Sequence, residues 1–232
     1  MLYARPRPGD DERIAATPHA VGYCGICHAP LVSKCGDIIV HHWAHRTLTD
    51  CDTWGEESDW HRAWKGRFPP RWTEVTVGAH RADVKAPGGL VIEFQRSYLA
   101  PAQIRAREDH YGAMLWVFDA RHTEITPGGE HNLTIESRGS WTRFRWRWPR
   151  TSLAFCRAPV WLDLGDRGVF DVRSHTRGWR GGSGHLLDAD VAPEVLYGRA
   201  MLSSTEWEGG YADAPRAWRG LYPNGSESLT PT

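Results

Sequence analysis

The chain has 232 residues, 41% of them hydrophobic and 24% charged, so it is long and apolar enough to form one large domain with a buried core. Its 28 basic and 28 acidic residues cancel, which argues against a protein that coats nucleic acid through bulk positive charge but leaves room for a local basic groove. The N-terminus lacks the apolar run of a signal peptide, and no stretch is apolar enough to span a bilayer, so we expect a soluble, cytoplasmic protein without a membrane partner.

The first part of the chain predicts a short arm followed by a small metal-binding module. Residues 1–19 are rich in Pro, Arg and Asp, and predict an arm with at most one strand. Residues 20–52 hold a C-x2-C motif and an H-x2-H motif. Two thiols and two imidazoles at these spacings are typical of a closed, structural Zn²⁺ site. The predicted ligands are Cys24, Cys27, His42 and His45.

Two alternatives to that ligand set stay open. A C-x2-C motif in an intracellular protein also serves redox chemistry, although a redox motif does not need a downstream H-x2-H. Three further residues lie near enough in the sequence to replace one of the ligands: Cys35, His41 and Cys51.

The central part of the chain, residues 53–120, predicts the order helix, three strands, helix, strand. Pro69 and Pro70 end the first helix, because proline lacks the N–H that a continuing helix needs. A Pro-Gly-Gly turn joins the second and third strands into a hairpin. The predicted helices are residues 56–68 and 100–111, and the predicted strands are residues 73–77, 81–85, 90–94 and 114–119.

Two acids lie in the middle of the predicted hairpin strands. Because side chains alternate along a strand, Glu93 and Gln95 share one face, and the hairpin can place Asp83 beside Glu93. Like charges facing each other across a strand pair are destabilising, and a hard divalent cation such as Mg²⁺ or Mn²⁺ would neutralise them. Alternatively, both acids face solvent and pair with nearby basic residues, namely Arg81, Lys85 or Arg96.

These motifs together resemble the competence protein CoiA family, a branch of the restriction-endonuclease-like PD-(D/E)xK nucleases. The resemblance covers roughly residues 20–120. It is carried by "CGIC", "HHWAH", a Glu-Ser-x2-His-x3-Lys helix, "RADV", "VIEFQ" and an Ile-x2-Arg-x3-Tyr helix. It implies an α/β fold with a restriction-endonuclease-like αβββαβ core, an N-terminal zinc knuckle and a β-rich C-terminal extension.

The resemblance also implies an activity, the metal-dependent hydrolysis of nucleic-acid phosphodiester bonds, with DNA as the expected substrate in uptake, repair or defence. Asp83 and Glu93 would hold Mg²⁺ or Mn²⁺, Glu57 would add a ligand or position a water, and Gln95 would orient the attacking group. Gln95 occupies the place where many relatives carry lysine, so the missing positive charge must come from elsewhere. The implied phosphate contacts are His61, Lys65 and Arg107.

Two other function classes compete with this interpretation. One is a non-catalytic nucleic-acid-binding or assembly module that keeps the nuclease scaffold. The other is an HNH-type nuclease that uses the histidines near residue 41, although no matching Asn and helix-borne His follow at a convincing spacing.

The last part of the chain predicts a β-rich extension, residues 121–178, and an irregular region with a disordered tail, residues 179–232. The run "TRFRWRW" alternates strictly, which predicts a strand with arginines on one face and aromatic residues on the other. The arginine row is either an ordinary solvated strand face or a track for phosphates. The row consists of Arg143, Arg145 and Arg147, and the opposite face of Phe144, Trp146 and Trp148.

Overall fold

The computed structural model describes residues 1–38, 40–46, 51, 58–121, 132–138 and 141–201. The chain divides into two compact units, Met1–Val84 and Lys85–Thr232. The protein is of mixed α/β class, and strands outnumber helices among the described residues of both units. Within the described residues, no helix is long and apolar enough to cross a membrane.

The first unit consists of small antiparallel groups of strands and one helix. Strand β1 pairs with β2, strands β3, β4 and β5 form an antiparallel sheet in that order, and β6 pairs with β7. The predicted arm therefore contains two strands rather than one at most. The elements are β1 (Tyr3–Ala4), β2 (Ile14–Ala15), β3 (Val21–Tyr23), β4 (Pro30–Lys34), β5 (His42–His45), α1 (Asp59–Lys65), β6 (Thr73–Val77) and β7 (His80–Lys85).

Helix α1 is shorter than the predicted residues 56–68 because its N-terminus is fixed by a capping box. The Ser58 hydroxyl accepts a hydrogen bond from the backbone N–H of His61, and His61 Nδ1 accepts one from the backbone N–H of Ser58 at 3.2 Å. Gly66 follows the last helical residue. Trp60 and Trp64 are buried, as their helical spacing predicts.

The second unit contains a sheet in the order β10-β11-β14-β13-β12-β9-β8. Neighbouring strands β8 and β9, and β9 and β12, are parallel, whereas the other pairs are antiparallel. The elements are β8 (Val91–Gln95), α2 (Pro101–Tyr111), β9 (Met114–Asp119), β10 (Leu133–Arg138), β11 (Trp141–Trp146), β12 (Val160–Asp163), β13 (Val169–His175), β14 (Gly181–Leu187) and α3 (Ala192–Met201), with 3₁₀ turns at Thr151–Phe155, Gly165–Arg167 and Arg177–Trp179.

Strands β8 and β9 are buried at every position, so both of their faces are covered, as is usual for parallel strands. Helix α2 connects them, because a parallel pair needs a long crossover. Along the chain, the elements α1, β6, β7, β8, α2 and β9 follow the predicted order of helix, three strands, helix and strand.

A glycine-rich segment at the start of the region predicted to be irregular forms the inner strand β14, paired with β11 on one side and β13 on the other. A side chain at Gly182 would place its Cβ 2.0 Å from the carbonyl oxygen of Ser174, and one at Gly184 would place it 2.0 Å from that of Asp171. The glycines therefore allow the backbones to approach closely. The region from residue 179 onward, for which the sequence predicts irregular structure, contains both β14 and α3.

Candidate functional site

Four thiol and imidazole side chains converge in the first unit. Their ligand atoms all lie within 4.8 Å of one another, and the members of this Cys/His cluster are Cys24, Cys27, His45 and Cys51. The two measured separations are 3.6 Å between Cys24 Sγ and Cys51 Sγ, and 3.4 Å between Cys27 Sγ and His45 Nε2. Zn–S bonds of about 2.3 Å and Zn–N bonds of about 2.0 Å in a tetrahedron place neighbouring donors about 3.5–3.8 Å apart. The cluster could therefore hold a metal such as zinc.

The C-x2-C turn between β3 and β4 positions the first two thiols. The backbone N–H of Cys24 donates to the carbonyl oxygen of Ala29 at 2.9 Å, and that of His28 donates to the carbonyl oxygen of Cys24 at 3.1 Å. His28 has a left-handed backbone conformation with φ of 57°, which closes the turn. The N–H of Ile26 donates to Cys24 Sγ at 3.4 Å.

The structure brings together three of the four predicted ligands, and Cys51 stands in the place predicted for His42. Residues three apart in a strand point to opposite faces, so His42 and His45 of β5 cannot both reach one metal ion. His42 Nδ1 instead lies 3.0 Å from the carbonyl oxygen of Val40. Cys51 is one of the alternatives that proximity in the sequence leaves open.

Burial and neighbouring groups shift the pKa values of three members of the Cys/His cluster. Burial pushes the pKa of Cys27 upward, but hydrogen bonds from the Ala29 backbone and from the other thiols bring it below its usual value. Burial and hydrogen bonding to Cys27 raise the pKa of Cys51 to about 12. Burial, Arg81 and the N-terminal amine lower the pKa of His45, which favours the neutral imidazole that a metal needs. A bound cation would take the place of the thiol protons.

A buried network of charges lies around Asp83 in the first unit. The register of β6 and β7, in which Thr73 faces Val84 and Val75 faces Ala82, sets Glu74 opposite Asp83. Lys65 of α1 donates to Glu74 Oε1 at 2.7 Å, and its ammonium lies 3.8 Å from Asp83 Oδ1. The predicted phosphate contact Lys65 is thus buried and bound to two carboxylates of its own unit.

Glu74 belongs to no motif that would single it out in the sequence. Its Oε2 accepts hydrogen bonds from the backbone N–H groups of Leu2 and Tyr3, at 2.7 Å and 3.3 Å. Burial alone would raise its pKa, but Lys65, the N-terminal amine and Arg81 lower it to about 2. Its φ of 51° is unusual for a strand residue and is not foreseeable from "TEVTV". Glu74 is therefore a buried, ionised carboxylate that holds Lys65 and the N-terminal strand.

A second buried polar group lies on strand β8. Glu93 and Gln95 are 7% and 6% exposed, and Arg107 of α2 is 1% exposed. Arg107 Nη1 donates to Gln95 Oε1 at 3.1 Å, while Gln95 Nε2 donates to the backbone oxygen and the hydroxyl of Ser97, at 2.9 Å and 3.0 Å. Gln95 therefore binds Arg107 with its oxygen, and its role of orienting an attacking group stays a prediction.

Three further residues predicted for the site are Glu57, His61 and Arg107. Glu57 lies outside the described residues. His61 is nearly buried and takes part in the capping box of α1. Arg107 has two acids next to it in the sequence, Glu108 and Asp109, but Arg157 binds both of these carboxylates, at 2.8 Å and 2.6 Å.

The arginine row of β11 has the predicted alternation. Arg143 and Arg145 are exposed, and Phe144 and Trp146 are buried. The strand ends at Trp146, so Trp148 does not continue the predicted aromatic face. It is 51% exposed, and the guanidinium of Arg147 lies 4.2 Å from the centroid of a Trp148 ring.

Comparison with known families gave one match. Residues 14–53 match the model for the N-terminal domain of competence protein CoiA, and this segment contains the whole Cys/His cluster. The match supports a CoiA-like relationship for that part of the chain. Searches of curated proteins and of solved structures gave no significant match.

Proposed function

We propose that the chain is a metal-dependent nuclease that hydrolyses nucleic-acid phosphodiester bonds, with DNA as the substrate, and that its central elements form a restriction-endonuclease-like core. The observation that carries the proposal is the burial of Glu93 and Gln95 on β8, a strand that is otherwise apolar. Burying a carboxylate and an amide costs free energy, so such groups concentrate at functional sites. The match of residues 14–53 to the CoiA N-terminal domain supports a CoiA-like relationship for that part of the chain.

Asp83 and Glu93 are the ligands proposed for Mg²⁺ or Mn²⁺, because hard cations prefer carboxylate oxygens. The Asp83 side chain is 22% exposed, so solvent and a cation can reach it. When bound, the cation would lower the pKa of a coordinated water and polarise a phosphoryl oxygen. Glu57 is proposed as a further acid of the site on the resemblance alone.

The positive charge that relatives supply with lysine comes, in this proposal, from Arg107. Gln95 is then a positioning residue, since its oxygen accepts from Arg107 and its amide group is fixed by Ser97. The guanidinium is thereby oriented on the face of β8 that carries Glu93 and Gln95. Lys65 contributes differently, because Glu74 neutralises it and it lies beside Asp83, so we assign it the role of orienting Asp83.

Cleavage of plasmid and of labelled single-stranded DNA in Mg²⁺ or Mn²⁺ tests the proposal. Asp83→Asn and Glu93→Gln should each lose about a hundredfold to a thousandfold in rate, the scale of removing one group from a preorganised site. Asp109→Asn removes an exposed acid that pairs with exposed Arg157, and should cut at the wild-type rate. Wild-type cleavage by either Asp83→Asn or Glu93→Gln would refute the assigned site.

The second candidate is a nucleic-acid-binding module without catalysis. The observation in its favour is that the amide of Gln95 is fully engaged by Ser97 and Arg107, at a position where relatives carry a lysine. A wild-type protein that binds DNA but cuts neither substrate in either metal would favour this module over the nuclease.

A further inference from the structure

An open groove lies on the exposed face of strands β10, β11, β13 and β14, away from the buried polar residues of β8. It consists of a cavity of about 520 Å³ and an adjoining one of about 230 Å³, which share Thr134, Arg145 and Arg180. Small-ligand sites measure about 300–1,000 Å³, so the groove has room for one or two nucleotide-sized groups at a time.

Positive charge dominates this groove. Arg143, Arg145 and Arg180 line the larger cavity, and Arg147 lines the smaller one. Among the described lining residues, Glu136 is the single acid, and it lies directly across from Arg143 in the β10–β11 pair. Four guanidinium groups against one carboxylate leave a local surplus of positive charge in a chain whose formal net charge is zero.

A strained turn fixes Arg180 at the edge of the groove. Gly178 and Trp179 both have left-handed backbones, with φ of 76° and 59°, and this is unusual for a bulky residue such as tryptophan. Hydrogen bonds hold the turn: the N–H of Thr176 donates to the Gly181 oxygen at 2.7 Å, and the N–H of Trp179 donates to the Thr176 oxygen at 2.9 Å. The buried Trp179 ring stacks on His175 at 4.1 Å.

Exposed tryptophans lie at both ends of the arginine row. Trp141 shares the face of Arg143 and Arg145, is 42% exposed, and packs against His185 at 5.0 Å. At the other end, the Arg147 N–H donates to the carbonyl oxygen of Asn132, and the Trp148 N–H donates to Asn132 Oδ1, each at 2.8 Å. Asn132 therefore fixes the backbone of Arg147 and Trp148 beside the smaller cavity, and Trp148 is 51% exposed there.

We infer that this groove binds single-stranded DNA, with phosphates on the arginines and a base stacked on Trp148. The inference rests on the proposed function for its choice of DNA. Same-face residues of a strand are about 6.8 Å apart, a spacing that an extended sugar-phosphate backbone can follow. Single-strand sites combine a basic groove with exposed aromatic rings, whereas a duplex hides its base faces from such rings. The nearby hydroxyls of Ser174 and Ser183, which contact each other at 2.8 Å, add hydrogen-bonding groups to the floor.

Fluorescence anisotropy with labelled oligo(dT) tests the groove separately from cleavage. The Asp83→Asn background and a buffer without Mg²⁺ or Mn²⁺ prevent hydrolysis, and omission of chelators protects the Cys/His cluster. In this background, Arg143→Ala with Arg145→Ala should weaken binding at least tenfold and reduce the slope of log K against log salt by about 1.4, the value for two lost single-strand phosphate contacts. Arg105→Ala removes one positive charge from an exposed arginine of α2, is the control for charge outside the groove, and should change neither quantity.

Trp148→Ala should weaken binding about fivefold to 150-fold without changing the salt slope, since stacking is not ionic. Trp148→Phe should recover part of the loss. Unlabelled oligo(U), a duplex of the same length and polyglutamate serve as competitors against labelled oligo(dT), and oligo(dT) should bind most tightly. Unchanged binding in the double arginine variant, or tighter binding of the duplex, the RNA or the acidic polymer, would overturn the inference. The cleavage assay of the Asp83 and Glu93 variants tests the nuclease independently of all these outcomes.

Discussion

The Cys/His cluster and the basic groove are built in opposite ways. The cluster gathers four donors within 4.8 Å from a turn, a strand and a segment after it. The groove takes its central arginines, Arg143 and Arg145, from a single strand and leaves them exposed. The cluster can hold a metal tightly only when all four donors are in place. In the groove, the alternation of strand β11 alone exposes Arg143 and Arg145 on one face.

This difference predicts different responses to mutation. A tetrahedral site with three donors binds a structural metal far less tightly, so loss of one donor should remove most of the function of the cluster. Exposed charges act on a ligand through water, so each arginine or acid of the groove should contribute a small and roughly additive amount. We therefore expect effects of decreasing size from the enclosed groups to the exposed ones.

The largest effect is expected for Cys51→Ser compared with His42→Ala. Wild-type protein should contain about one zinc per chain, the Cys51→Ser variant should lose it, and the His42→Ala variant should retain it, because His42 lies on the other face of β5. Loss of zinc should also lower the melting temperature, since metal binding contributes to folding. Elemental analysis and thermal denaturation provide the measurements. Zinc retained by Cys51→Ser and lost by His42→Ala would restore the ligand set with two histidines.

The exchange of His42 for Cys51 shows where sequence reasoning reached its limit. Motif spacing indicates a Cys/His site, and the structure gathers such a cluster, but spacing does not report which face of a strand each histidine occupies. The alternation predicted for "TRFRWRW" is confirmed for residues 141–146, whereas every residue of 91–95 is buried. Applied to "HHWAH", the same rule would have separated His42 from His45.

Other features depend on contacts between residues that are distant in the chain. The helices and strands of residues 59–119 were predictable from periodicity and from Pro and Gly. The burial of Glu74 was not, because it depends on Lys65 and on the backbone of residues 2 and 3. The strand β14 was also missed, since glycine signals a turn unless neighbouring backbones are known to approach closely.

The next largest effect is expected for Glu74, whose charged side chain is buried. Its pKa is lowered from 4.5 to about 2 in the folded chain, so its ionised form stabilises the fold by about 3 kcal/mol at pH values above about 4.5. This contribution is lost as the pH falls toward 2. Glu74→Gln should therefore lower the free energy of unfolding by about 3 kcal/mol at pH 6, and the difference from wild type should shrink between pH 4.5 and 2.

Urea denaturation at several pH values measures this difference, and acid release of metal from the cluster affects both proteins alike. A double variant, Lys65→Met with Glu74→Gln, is the control. It should be less destabilised than the sum of the single variants, because it removes the buried pair rather than stranding one charge. A wild-type minus Glu74→Gln difference that is constant with pH would show that the carboxylate charge is not what holds Lys65.

A smaller effect is expected at Gln95, a neutral partner for a buried cation. Gln95→Glu makes the bond to Arg107 charge-assisted but replaces the amide that donates to Ser97 with an acceptor, so the two effects oppose each other and the net cost should be about 1 kcal/mol. Gln95→Lys sets a second cation beside a guanidinium that is 1% exposed, and should cost about 2–3 kcal/mol. Urea denaturation ranks the two variants. Equal stability of both would mean that the bond between Arg107 and Gln95 does not position the guanidinium.

The smallest effect is expected at Glu136, across the strand pair from Arg143. This carboxylate faces the same groove and opposes a phosphate, so Glu136→Gln should tighten the binding of oligo(dT) by about twofold to fivefold, the scale of one exposed charge interaction. The gain should fall as salt rises, because exposed charges are screened over about 8 Å at physiological ionic strength.

Asp109→Asn removes an equal charge from the exposed surface of α2 and controls for net charge alone. If both substitutions tighten binding equally, the DNA responds to the overall charge of the protein rather than to this groove. A gain confined to Glu136→Gln is what a local charge contribution in this open site requires.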